Sequence, residues 1–367
     1  MAVLNVQLDN ILCFNDFKAD FTYPKKIVRS PLEYEYLKNY PSIRYKKVNI
    51  IIGSNATGKT SLGKALWKIF VFLRNREAKP IRDLVTDNSR DAYILLDCVY
   101  SVGLFFRFEA IIKTNGDIDV KYLPLRINKD DTYEKMVERL PKDSSFVNYV
   151  QALEKAKIGG WFFKFPTIED GFDRISCKYD DKRKKEFVKT FDNVLKTFDP
   201  SIEKVFKSEE QEDTYIIRFY NGKTVAIKDG ETISGLNYLS SGTKYALNIA
   251  NVMCSIKNHD NGFYYVDEQF SYVNSDIEIA CLNTMIELLG DGEQLFFTTH
   301  NPEIMALPLP IHSFSFLKKV EYDHGYKVEL INASDYEKRN NVNIKNLYDN
   351  DYFDIAPDTR KVFEIGD

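Results

Sequence analysis

The eight residues Gly53-Ser54-Asn55-Ala56-Thr57-Gly58-Lys59-Thr60 have the types and spacing of a loop that cradles phosphate. Glycines near both ends let the backbone wrap tightly and turn its N–H groups inward toward an anion. Lys59 supplies a cation that reaches β- and γ-phosphates, and the Thr60 hydroxyl is a ligand for Mg²⁺. A helix starting here adds roughly half a positive charge at its N-terminus. Gly53, Asn55, Gly58, Lys59, Thr60 and Ser61 are therefore the candidate nucleotide-binding residues. Of these, Thr60 is also a candidate metal ligand, and Lys59 a candidate for catalysis.

Three further segments carry chemistry. Gly262-Phe263-Tyr264-Tyr265-Val266-Asp267-Glu268 is an apolar strand ending in two acids. In a nucleotide-binding fold, Asp267 would hold Mg²⁺ directly or through water, and Glu268 would orient or deprotonate the attacking water. Outside such a fold the pair reads as solvated acids at a strand end. Leu239-Ser240-Ser241-Gly242-Thr243 precedes a helix with apolar positions at Leu247, Ile249, Val252, Met253 and Ile256. Small hydroxyl residues and a glycine at a helix start make an anion site or an ordinary N-cap, and taken alone the cap is the simpler reading. Leu295-Phe296-Phe297-Thr298-Thr299-His300 is another apolar strand, ending at a histidine 32 residues beyond Glu268. That interval holds one helix, Asp276 to Leu289, so the spacing predicts neighbouring parallel strands. His300 would then share the acids' sheet edge, where α/β sheets bind ligands.

The phosphate loop needs a strand before it and a helix after it. Lys47 to Ile52 is short and β-branched, as a buried parallel strand should be. Leu62, Leu66, Ile69, Phe70 and Leu73 follow at helical spacing. The first twenty residues alternate apolar and polar, predicting one or two strands. Asp91 to Ile112 is strand-rich with a turn at Ser101-Val102-Gly103, and Asn115-Gly116 marks another turn before Ile118 to Tyr122. From Asn128 to Glu212 charge becomes dense at helical spacing in Thr132–Leu140, Val147–Ala156 and Lys182–Phe198, and this predicts a helical insertion. A hairpin is expected over Tyr215 to Ile227 with its turn at Asn221-Gly222, and a second around His324-Gly325. The division expected is thus residues 1–127, an insertion 128–212, and 213–367.

The chain has 367 residues, 44% hydrophobic and 28% charged, a balance that belongs to globular proteins rather than disordered ones. Its 54 acidic and 50 basic side chains leave a net charge of −4, which argues against a surface coated in nucleic acid but permits a local basic groove. Five scattered cysteines (Cys13, Cys98, Cys177, Cys254 and Cys281) form no C-x-x-C pair and read as reduced thiols, without a zinc site. No signal-peptide pattern opens the sequence and no apolar run approaches the ~18 residues of a membrane span. The expectation is a cytoplasmic protein with no membrane partner.

Taken in order, these segments resemble the ATPase heads of the ABC superfamily, in particular its RecF, SMC and OLD-like branch. GSNATGKT resembles that branch's G-x-N-x-x-G-K-[ST] Walker A loop, LSSGT its signature, and YYVDE its Walker B strand. Ser271-Tyr272-Val273-Asn274 falls at the D-loop, and Thr298-Thr299-His300 matches the switch-histidine strand. The resemblance covers about residues 1–125 and 213–325. It implies an α/β P-loop NTPase of ABC-ATPase type, a mixed sheet core with an N-terminal antiparallel β layer, here carrying the helical insertion. It also implies ATP and Mg²⁺ as cofactors and a homodimer, or higher homo-oligomer, of two heads around two ATP molecules. Lys59, Thr60 and Asp267 of one head would bind phosphate and Mg²⁺, while Ser240, Ser241 and Gly242 of the other reach the γ-phosphate. Glu268 would position water and His300 would contact the γ-phosphate.

Some positions depart from the pattern. No glutamine lies between Gln7 and Gln151, where the family's Q-loop ligand belongs, which points to slow hydrolysis. Asn274 stands where the D-loop usually ends in aspartate. The insertion is too short for an SMC coiled coil, and the residues after His300 are too few for the Toprim nuclease of OLD proteins. A head without either resembles the stand-alone ATPases of prokaryotic anti-phage and toxin-linked systems, which implies a separate effector protein, a toxin or nuclease. Two other readings stand beside it. One is a DNA-repair ATPase whose DNA contact is the run Asp180 to Lys185. The other is a scaffold in which ATP only holds the heads together. Tyr45 and Phe14 are the candidates for stacking on adenine.

Overall fold

The computed structural model describes residues 1–25, 30–154, 156–166, 181–211, 214–228, 231–322, 325–339, 342–356 and 360–366. It divides into two units, Met1–Gly159 with Asp291–Asp367, and Gly160–Gly290.

The first unit opens with the expected alternating strands, β1 (Ala2–Asp9) and β2 (Phe17–Asp20), antiparallel to each other. A small hairpin, β3 (Tyr36–Leu37) with β4 (Tyr40–Arg44), leads to β5 (Val48–Ile52). Helix α1 (Lys59–Asn75) then buries Leu62, Leu66, Ile69, Phe70 and Leu73, the stripe that its periodicity predicts. It ends at Arg76, whose left-handed backbone stops the helix, and α2 (Ala78–Arg82) follows. Strands β6 (Ala92–Tyr100), β7 (Leu104–Ile112) and β8 (Ile118–Arg126) form a meander on the expected turns. Helix α3 (Tyr133–Glu138) is capped by Thr132, and β9 (Val147–Asn148) runs into a single turn, α4 (Tyr149–Ala152). The antiparallel sheet has the order β2-β1-β6-β7-β8-β9. One face covers a core of Leu4, Leu37, Ile43, Tyr45, Phe105 and Met136.

A buried polar knot fastens α3 to that sheet. Asp97 on β6 accepts two hydrogen bonds from the Arg107 guanidinium on β7, at 2.8 and 2.7 Å, and one from the Tyr133 hydroxyl at 2.7 Å. The carboxylate is fully buried and depends on those donors for its charge. Arg107→Met should therefore destabilise the first unit by about 3–5 kcal/mol, the usual effect of stranding one half of a buried ion pair. Urea unfolding measures this, and a midpoint equal to wild type would overturn it.

The second unit begins with β10 (Trp161–Lys164) and the long helix α5 (Asp181–Phe198). An antiparallel meander follows, β11 (Ile202–Lys207), β12 (Thr214–Phe219), β13 (Thr224–Lys228) and β14 (Glu231–Ser234), with the expected hairpin turn at Gly222. Helix α6 (Ser241–Lys257) precedes β15 (Phe263–Asp267), which pairs in parallel with β10, and α7 (Ser275–Leu288) closes the unit. The stretch 128–212, expected as a helical insertion, also carries strands among its described residues. That stretch holds β9, β10 and β11 beside its helices, and the helix expected over Val147–Ala156 shrinks to α4. Cys177 and Asp180 lie outside the described residues.

Returning to the first unit, β16 (Gln294–Thr299) and β17 (Phe314–Tyr322) flank β5 in parallel, and β18 (Gly325–Asn332) adds an antiparallel edge. The hairpin around His324-Gly325 is present, with Tyr322 opposite Gly325, although Asp323 and His324 lie outside the described residues. All five residues of β5 are buried, as the β-branched run requires. Gln294 joins this sheet to the antiparallel one. Its Oε1 accepts from the Val3 N–H at 2.8 Å, and its Nε2 donates to the Val3 and Lys46 carbonyls at 3.1 and 3.0 Å. Among the described residues, no helix is long and apolar enough to cross a membrane.

Candidate functional site

The loop after β5 is shaped by its glycines. A Cβ at Gly53 would lie 2.5 Å from Thr57 Oγ1 and 2.8 Å from the Leu317 carbonyl oxygen, so no side chain fits. Gly58 has φ 102° and forms the N-cap of α1, with no side chain capping the first turn. A Cβ there would sit 3.0 Å from Cys13 Sγ, so the second glycine answers both a left-handed backbone and a close neighbour. The Thr57 hydroxyl donates to the Ser54 carbonyl at 2.8 Å and tightens the turn.

Lys59 is only 3% exposed and bends back over the loop. Its Nζ donates to the Gly53 carbonyl at 2.6 Å and the Ser54 carbonyl at 3.1 Å, and lies 3.3 Å from His300 Nδ1. His300 Nδ1 is itself 3.1 Å from the Gly53 carbonyl. One ring nitrogen cannot both donate to that carbonyl and accept from the ammonium, so the histidine tautomer and the lysine's aim are linked. The parallel pairing of β16 with β5, which sets Thr299 opposite Ile52, is what brings His300 to the loop. Asn55 is exposed on the loop, and Thr60 and Ser61 are half-buried in the first turn of α1.

In the second unit Asp267 is fully buried at the end of β15, and Glu268, next in sequence, has φ 44°. A left-handed backbone at a non-glycine residue is held against its own preference, and such residues gather at functional sites. Ser240 is an N-cap: its Oγ accepts from the Thr243 N–H at 3.1 Å and pairs with the Thr243 hydroxyl at 2.7 Å. The structure shows the capping reading at Ser240. Ser240 satisfies the helix end, while Ser241 is exposed and Gly242 half-exposed in the first turn. Asn274 caps α7, its side chain accepting from the Asp276 N–H at 2.7 Å, work that asparagine does as well as the aspartate usual there.

Burial decides the part that several other residues can play. Phe14 is fully buried, 4.5 Å from Phe17 between ring centroids, and Tyr45 is fully buried in the core. Neither presents a ring to a ligand, which corrects both as adenine-stacking candidates. Cys13, beside Gly58, is half-buried, and burial pushes its thiol up although a hydrogen bond with Ser61 acts the other way. Gln269 is fully buried and carries the hydrogen bonds of the acidic turn, an arrangement with no local sequence signal.

The donors present suit the groups expected. An ammonium, a glycine-walled loop and a helix start suit a polyphosphate. A hydroxyl such as that of Thr60 in the first unit, and a carboxylate such as that of Asp267 in the second, are each hard oxygen donors of the kind Mg²⁺ takes.

No family model matches the sequence, and no curated protein matches it. Solved structures do resemble it. An SMC head bound to the C-winged helix domain of ScpA superposes with a TM-score of 0.54 at 13% identity, covering 92% of this chain and 100% of that one. A second, an SMC head with an extended coiled coil bound to the C-terminal domain of ScpA from Pyrococcus furiosus, gives 0.50 at 12% identity, covering 91% and 97%. The chain has the α/β fold of SMC head domains.

Proposed function

We propose that this chain binds ATP with Mg²⁺ and hydrolyses it between two copies of itself, as a head that closes and opens. The observation that carries this reading is the cluster at Gly53, where Lys59 and His300 meet a glycine-walled loop at the head of a helix. Lys59 takes the β- and γ-phosphates, Thr60 and Asp267 hold Mg²⁺, and bound Mg²⁺ neutralises charge on the phosphates. Glu268 orients the attacking water, and His300 meets the γ-phosphate from the strand beside the loop. Ser241 and Gly242, in the first turn of α6, supply N–H groups and a hydroxyl to the nucleotide held by the second copy. The fold likeness supports work alongside a separate protein, since both SMC heads were solved bound to ScpA domains. Control of an effector in defence is the extension of this reading.

Light scattering and turnover test the dimer together. Ser241→Arg should leave ATP binding by the monomer intact, yet remove both ATP-dependent dimerisation and the rise of specific turnover with protein concentration. Mixing it with Lys59→Ala should restore part of the activity, because one composite site then combines an intact Lys59 with an intact Ser241. Wild-type turnover from Ser241→Arg alone would refute the trans role.

A further inference from the structure

The segment after Glu268 lies along one face of α6. Gln269 donates from Nε2 to the Asp267 carbonyl at 2.8 Å, while its Oε1 accepts from Asn248 Nδ2 at 3.1 Å. The Ser271 hydroxyl donates to the Glu268 carbonyl at 3.1 Å. Farther along, Tyr272 stacks on Tyr245, with ring centroids 5.6 Å apart and planes at 29°. The Tyr272 carbonyl oxygen would lie 3.5 Å from a Cβ at Gly242. Ser241, Tyr245 and Asn248 fall at the i, i+4, i+7 spacing that aligns side chains on one helix face. The loop therefore runs antiparallel to α6, its start at Asn248 and its end beside Gly242. Burial, with Tyr272 and then the Glu268 charge behind it, pushes the Tyr245 hydroxyl up.

A left-handed residue persists only where its surroundings hold it. Around Glu268 the backbone is tied on both sides, by Gln269 to the preceding carbonyl and by Ser271 to its own. Gln269, through Asn248, anchors the start of the loop to α6, and the tyrosine stack fastens its far end. We propose that Asn248 and Tyr245 are positioning residues for Glu268, and that this face of α6 sets the acid in register with Ser241 and Gly242. The proposal rests on the ATPase reading above and adds the residues that aim its base.

Single-turnover hydrolysis in Asn248→Leu and Tyr245→Ala, with equilibrium ATP binding measured in parallel, tests it. Each substitution should slow turnover roughly 10–100-fold, the scale of a misplaced reacting group, with ATP affinity unchanged. Tyr245→Phe keeps the ring and should retain wild-type turnover. The decisive arm is Asn248→Leu combined with Glu268→Gln. If Asn248 acts through Glu268, its loss should nearly vanish once the carboxylate is gone. A loss as large in the Glu268→Gln background as in wild type would overturn the proposal while leaving the ATPase intact. So would a Tyr245→Phe protein as slow as Tyr245→Ala. Wild-type turnover no higher than that of Lys59→Ala would remove the ATPase reading and this inference with it.

Discussion

Lys59→Ala is expected to weaken MgATP binding by on the order of 10²-fold or more and to abolish turnover, with the fold intact. The ammonium is held over the loop by two carbonyls, so it is already in place to take phosphate oxygens. Hydrogen bonds to a charged partner are worth about 1.5–3 kcal/mol each, and losing two gives an effect of this size. The substitution also takes a donor from the Gly53 and Ser54 carbonyls, but both belong to a turn that water reaches. Calorimetric titration with ATP and Mg²⁺ measures the loss, and far-ultraviolet circular dichroism checks the fold. Unchanged affinity and turnover in that variant would sink the phosphate-loop assignment.

Glu268→Gln is expected to slow hydrolysis by ~10²–10⁴-fold, the contribution typical of a positioned general base, while ATP still binds. The amide keeps the size of the side chain and leaves Asp267, the proposed Mg²⁺ ligand, untouched. ATP-loaded dimers should then accumulate, since closure no longer ends in hydrolysis. Single-turnover assay and light scattering read the two effects together. Equal turnover in wild type and variant, both near background, would mean that the absent Q-loop glutamine has already disabled the chemistry. The chain would then be a nucleotide-gated scaffold, the reading that a missing glutamine favours.

Local chemistry made much of this fold legible. The turn at Gly103, the Asn221-Gly222 hairpin and the stripe on α1 each follow from a few adjacent residues, and so does the phosphate loop. What was illegible depends on distant partners. Trp161–Lys164 reads as part of a helical stretch because its strand character comes from pairing with β15, whose residues lie far along the chain. Ile202–Lys207 hides in the same way, its apolar positions broken by charge and its ladder supplied by β12. At the site, the order of motifs indicated His300, and the parallel pairing of β16 with β5 puts it at Gly53. Tyr45 and Phe14 looked available because a sequence does not show burial. Asn248, Gln269 and Tyr272 carry no motif, and their relation exists only once the loop lies along α6.

If Glu268 has the role proposed for it, its left-handed backbone places two selective pressures in conflict at one residue. Glycine or asparagine would relax that φ by roughly 1 kcal/mol, so purely for folding the position should not be glutamate. A lineage released from the need to hydrolyse ATP would drift away from the acid, and drift would be downhill in energy. Relatives with glycine or asparagine there would be stable, nucleotide-holding heads that have stopped turning over. On that proposed role, persistence of glutamate at this position in a set of relatives would be a record of selection for catalysis.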